Sequence, residues 1–136
     1  MALKSTPLDL HRRLLGPLAA RRLDGLVSRL GAGDADVVVS VCALCGEDDL
    51  DGAVARLRAQ VPAHGELRFV EHVGRGDRLL TRVADRGYSV LPLGCHVGHD
   101  VPGALRRGGF TIVDLERFSM PSAVPLLRHW VRGVAR

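Results

Sequence analysis

Between Asp36 and Gly74 the spacing of apolar residues changes period twice. Val37-Val38-Val39-Ser40-Val41-Cys42-Ala43-Leu44 is a nearly continuous apolar, β-branched run, bounded by Asp34-Ala35-Asp36 and by Gly46-Glu47-Asp48-Asp49. Too short for a full helix, it predicts a buried parallel strand. From Leu50 to Val61 the apolar residues Leu50, Val54, Leu57 and Val61 recur at helical spacing. Acids stand at the front (Asp48, Asp49, Asp51) and Arg56 and Arg58 behind, as the helix dipole favours. Pro62-Ala63-His64-Gly65 ends that helix, and a second strand is expected over Glu66 to Val73, running into Gly74-Arg75-Gly76. Strand, helix and strand make a βαβ unit with a right-handed crossover, and ligands of such units bind where the strands end at their carboxyl edge. The side chains delivered there are Cys42, Cys45, Glu71 and His72.

The flanking patterns supply covers for this unit. Thr6-Pro7 reads as a helix start, and Gly16-Pro17 interrupts. From Pro17 to Leu30 the residues Leu18, Leu23, Leu26, Val27 and Leu30 form one apolar stripe opposite Arg21, Arg22 and Arg29, so this helix needs a surface to cover. Gly31-Ala32-Gly33 closes it. After the second strand, residues 77–86 read as a helix, and the Pro- and Gly-punctuated segment 88–99 carries Cys95, His96 and His99. Asp100 caps a short helix from Val101 to Arg107 that Gly108-Gly109 stops. Phe110 to Glu116 alternates as a strand, and Leu126 to Val134 reads as the last one, with Trp130 as its large packing residue.

A chain of 136 residues, 46% apolar and 25% charged, is expected to form one soluble domain. Its net charge of +4 comes from Arg residues interleaved with Asp and Glu, and three Phe, one Tyr and one Trp provide no stacking surface beside a basic run. Nucleic-acid binding is therefore not expected. The first thirty residues hold Lys4, Asp9, His11, Arg12 and Arg13 rather than a secretory apolar core, and no run approaches the ~18 to 20 apolar residues of a membrane span. Three cysteines, an odd number, fit reduced thiols and a cytoplasmic location.

An ordered set of segments carries a family resemblance: Asp36-Val37-Val38-Val39-Ser40, Leu44-Cys45, the helix ending in Pro62 and Gly65, and Phe69-Val70-Glu71-His72-Val73. Further on come Gly94-Cys95-His96, Ala104-Leu105-Arg106-Arg107-Gly108-Gly109-Phe110 and Gly133-Val134-Ala135-Arg136. In order and spacing, residues 36–136 resemble the carboxyl-terminal half of a class I S-adenosylmethionine-dependent methyltransferase, of the type 11, thiol methyltransferase-like branch. Residues 1–33 form an amino-terminal helical segment. The resemblance implies a truncated Rossmann-like α/β fold, a mixed sheet of about four strands with flanking helices. In that family the cofactor lies on a Gly-rich loop after the first strand, and an acid ending the second strand holds the ribose. Here Gly31-Ala32-Gly33 precedes the first recognisable strand, as though the chain ran from its first helix straight to the family's fourth strand. The chain alone is therefore expected to bind no S-adenosylmethionine unless another chain completes the site. In the family's strand order, 3-2-1-4-5-7-6, the same loss makes Val37 to Leu44 an apolar edge strand, which predicts a homodimer through that edge or a heteromer with a methyltransferase.

Five residues, Cys42, Cys45, Cys95, His96 and His99, have the ligand types of a zinc site. Positions three apart in a strand point to opposite faces, however, and the expectation is buried thiols without metal. Glu71 and His72 end the second strand where a general acid or base belongs, yet as consecutive strand residues they face opposite ways. Cys95 beside His96 is a candidate thiolate pair in the segment that, by resemblance, covers the acceptor pocket. The expected catalytic residues are His72, Glu71, His96 and Cys95, with Cys42, Cys45 and His99 lining a small-molecule pocket. Three functions follow: acid–base chemistry (isomerisation, cyclisation or hydrolysis) in the old acceptor pocket; methyl transfer to a thiol or phenol with a partner chain; or a scaffold that recruits a full-length methyltransferase.

Overall fold

The structure is a computed structural model that describes residues 15–73, 99–120 and 128–136. The expected helix at 77–86, the cap at Thr6-Pro7, and Cys95 and His96 lie outside the described residues.

Helix α1 spans Pro17–Ser28, with proline in its first turn. It stops short of Leu30 because the Arg29 and Leu30 amides donate to the Leu26 and Val27 carbonyls, tightening the last turn. Strand β1 is Val37–Val41, helix α2 Leu50–Gln60 and strand β2 Glu66–His72. The Asp49 side chain caps α2 by accepting from the Gly52 amide at 3.0 Å. Helix α3, Val101–Arg107, is capped as expected by Asp100, which accepts from the Gly103 amide at 3.1 Å. Strand β3 is Ile112–Ser119 and β4 is His129–Ala135. The start of β3 lies beyond the expected Phe110. Gly109 turns to φ 91°, and the Phe110 amide donates back to the Leu105 carbonyl at 3.0 Å, so Phe110 closes the end of α3 instead.

The four strands make one mixed sheet in the order β1-β2-β4-β3. β1 and β2 are parallel, and β4 runs antiparallel to both β2 and β3. Numbered as the fourth to seventh strands of the family's sheet, the observed order is 4-5-7-6, what remains when the first three strands are removed. The fold is thus α/β and truncated Rossmann-like.

Strand alternation sends the apolar residues of the sheet into two cores. On one face Leu67, Phe69, Val131 and Ala135 pack with Ala53, Val54 and Leu57 of α2 and with Val101, Ala104 and Leu105 of α3. On the other, Val41, Val70 and Trp130 pack under Leu15, Ala19 and Leu23 with Val27 and Leu30 beside them, so most of the α1 stripe has its surface. Leu18, expected in that stripe, is instead 82% exposed because it lies one position before Ala19, on the helix face turned to solvent. At the centre Phe69 lies opposite Gly133, where a Cβ would run into the Phe69 ring and the Asp114 carbonyl oxygen.

Among the described residues, β1 forms one margin of the sheet and β3 the other. The Cys42 amide donates to the Val70 carbonyl and the Glu66 amide to the Asp36 carbonyl. Even-numbered positions of β1 therefore face β2, and Val37, Val39 and Val41 turn their peptide groups outward. Ser40 and Val41 are only 2% and 1% exposed, which leaves this margin accessible over Val37 to Val39.

Candidate functional site

The candidate site is the loop from Cys42 to Asp49 together with the end of β2. The apolar run predicts a strand to Leu44, but β1 ends at Val41. Cys42 takes up φ 51°, in the left-handed region that non-glycine residues seldom adopt, and the chain leaves the sheet there. The Cys42 amide keeps its ladder bond to Val70, and the Glu47 amide donates to the Leu44 carbonyl at 3.2 Å, folding residues 42–47 back over the strand end.

Glu71 sits under this loop with no exposed surface. The Ser40 hydroxyl donates to its Oε1 at 2.9 Å, the Leu44 amide to the same oxygen at 3.3 Å, and the Cys45 amide to Oε2 at 3.2 Å. Removal from water raises the Glu71 pKa from its ordinary 4.5 to about 8. The nearby Cys45 thiol adds to the rise, and the three donors oppose it. At neutral pH the carboxyl therefore holds a proton, poised beside donors that would steady its anion.

His72 is equally buried but faces the other core, where its ring lies 5.5 Å from that of Trp130 at 57°. Glu71 and His72 diverge as strand alternation requires, and they are not a dyad. The two cysteines behave otherwise than strand geometry predicts. Because the strand stops before them, Cys42 and Cys45 both join the core under α1, and the Cys45 thiol donates to the Cys42 carbonyl at 3.4 Å. His99 stands beside the same loop, with Nε2 2.6 Å from the Glu47 carbonyl oxygen. Among the described residues no group of three or more His, Cys, Asp and Glu side chains is arranged to hold a metal ion.

Sequence reasoning thus names Glu71, Cys45 and His99 but misses Ser40 and the two loop amides that hold Glu71. The available signal was Ser40 itself, the one polar residue in an otherwise apolar strand.

No family model matches the chain, and no curated protein matches it. Among solved structures it is similar to a putative O-methyltransferase from Nostoc punctiforme, at 17% identity and a TM-score of 0.44. The match covers 84% of this chain and 38% of that one, so the chain spans well under half the length of that protein. The methyltransferase-like fold stands on strand order and direction.

Proposed function

We propose that the chain is a small-molecule enzyme on the second half of a methyltransferase-type fold. It works by acid–base chemistry such as isomerisation, cyclisation or hydrolysis at the carboxyl edge of β1 and β2, with Glu71 as proton donor. The observation that supports this reading is the state of Glu71: a carboxyl at the strand end where α/β sheets place ligands, protonated at neutral pH by burial. The Ser40 hydroxyl and the Leu44 and Cys45 amides would stabilise the carboxylate left after the proton is given up. His99 borders the loop above, and Cys95 and His96 remain candidates by their place in the sequence. His72, packed on Trp130 in the opposite core, has the weaker claim.

On this reading the chain alone does not bind S-adenosylmethionine, since its sheet begins at what corresponds to the family's fourth strand. Calorimetric titration of the purified chain with S-adenosylmethionine and with its demethylated product should give no heat up to millimolar ligand. For the acid role, a metabolite panel followed by mass spectrometry identifies any turnover, and Glu71→Gln should lower that turnover by about 10²-fold or more. Turnover unchanged in Glu71→Gln removes Glu71 from the mechanism.

A second reading, methyl transfer to a thiol or phenol with the cofactor site completed by another chain, draws support from the uncharged margin of β1. It requires association along Val37 to Val39, by a second copy or a methyltransferase, and cofactor binding on the order of tens of micromolar or tighter in the assembled species.

A further inference from the structure

In the proposed acid–base reaction the Cys45 amide steadies the Glu71 carboxylate, but the thiols of Cys42 and Cys45 transfer no proton. Spaced Cys-x-x-Cys, they follow a strand and precede a helix, the setting in which such pairs undergo reversible oxidation. In a continued strand they would be separated; here the left-handed turn at Cys42 brings both into one cluster and lays the Cys45 thiol against the Cys42 peptide. Left-handed conformations at non-glycine residues gather at functional turns. Beneath the turn, the Glu71 carboxyl accepts from the Cys45 amide and so fixes the loop.

We propose that Cys42 and Cys45 are a dithiol–disulfide pair, closed by exchange with a small-molecule disulfide across the turn that begins at Cys42. One cysteine thiolate attacks a sulfur of the external disulfide, forming a mixed disulfide and releasing one thiol. The second cysteine thiolate then attacks the mixed disulfide at the protein sulfur, closes the ring and releases the second thiol. Two electrons pass from the cysteines to the external disulfide, and their two protons leave with the released thiols. Both side chains are buried, at 1% and 0% exposure, so exchange proceeds through opening of the loop, and equilibrium rather than rate is the quantity to read. The same loop carries the Leu44 and Cys45 amides that hold Glu71, so ring closure is felt at that carboxyl. That consequence rests on the acid–base reading; the thiol chemistry does not.

The test is redox equilibration of the full chain carrying Cys95→Ser in mixtures of glutathione and glutathione disulfide, native and in denaturant. Alkylation, thiol counting and peptide mapping follow. The expected result is loss of both thiols together, a linked Cys42–Cys45 peptide lighter by two hydrogen atoms within a single chain, and a ring-closure constant higher in the native than in the denatured chain. Stable single-glutathione adducts, links between copies, thiols that stay reduced throughout, or a native constant no higher than the denatured one would overturn the proposal. Should Cys95→Ser not fold, mapping the unmodified sequence decides. A Cys42–Cys45 peptide supports the pair, and links through Cys95 alone, or thiols that stay reduced, refute it.

Discussion

The two margins of the sheet are built to opposite rules. β3 places Asp114, Glu116 and Arg117 outward, and its ladder with β4 shifts register between Ile112 and Asp114, leaving Val113 52% exposed. Glu116 is also ion-paired with Arg132 of the neighbouring strand. Charge and a bulge are the devices by which sheets discourage pairing at an edge. β1, by contrast, reads Val-Val-Val-Ser-Val, with no charge, proline or bulge. It has the composition of a strand with neighbours on both sides. The contrast shows that a place at the margin of a sheet does not by itself dictate an edge-like sequence.

The largest expected effect belongs to neither margin. Phe69 lies in the sheet interior against Gly133, so Phe69→Ala should cost about 3 to 5 kcal/mol in denaturant unfolding. A loss under ~1 kcal/mol would mean that the margins, rather than the central strands, carry the stability.

Next comes Glu71, anchored beside β1. Its folded pKa is raised, so the folded chain holds a proton that the unfolded chain gives up between pH 4.5 and about 8. The stabilisation is fully present below the lower value and is lost as pH rises through the upper one, on the order of a few kcal/mol in all. Glu66 runs the other way: its pKa is lowered chiefly by the hydrogen bond from Arg68, so its contribution disappears only in acid. Stability measured by thermal melts should therefore fall between about pH 5 and 8 in the native sequence and stay level in Glu71→Gln. A slope unchanged by the substitution would assign the titration to another group.

The margins themselves are tested by association. Val37 is half-buried and belongs to neither core, so Val37→Lys should change folding stability by no more than about 0.5 kcal/mol. If β1 pairs with a second copy, light scattering at micromolar concentration should show a dimer for the native sequence and a monomer for the variant. A native sequence that is already monomeric ends the pairing proposal. The smallest effect is expected on β3, where Glu116→Ala removes an exposed ion pair with Arg132 and should cost between 0 and about 1 kcal/mol without altering association.

Much of this molecule was legible in its residues because the relevant forces are local. The apolar stripe of α1 apart from the exposed Leu18, the Asp100 cap of α3, the strand–helix–strand unit and the opposed directions of Glu71 and His72 all follow from side-chain period and from caps a few residues away. Boundaries slipped where a single backbone conformation intervened, at Cys42 and at Phe110. The family resemblance supplied the expected strand order, which residue patterns alone do not contain.

By itself, then, the sequence determined, over the described residues, where the helices and strands lie, most of the residues they bury, and that Glu71 would stand at a strand's carboxyl end. Only the tertiary structure decided that Ser40, Leu44 and Cys45 meet on that carboxyl, that Cys42 and Cys45 share one core, and that His99 reaches the Glu47 carbonyl. The Glu71 contacts join residues 26 to 31 positions apart, and the His99 contact spans 52. No local propensity encodes such separations; they arise when β1 and β2 pair in register and the helices close over both faces, and the raised pKa of Glu71 exists only once water has been excluded there.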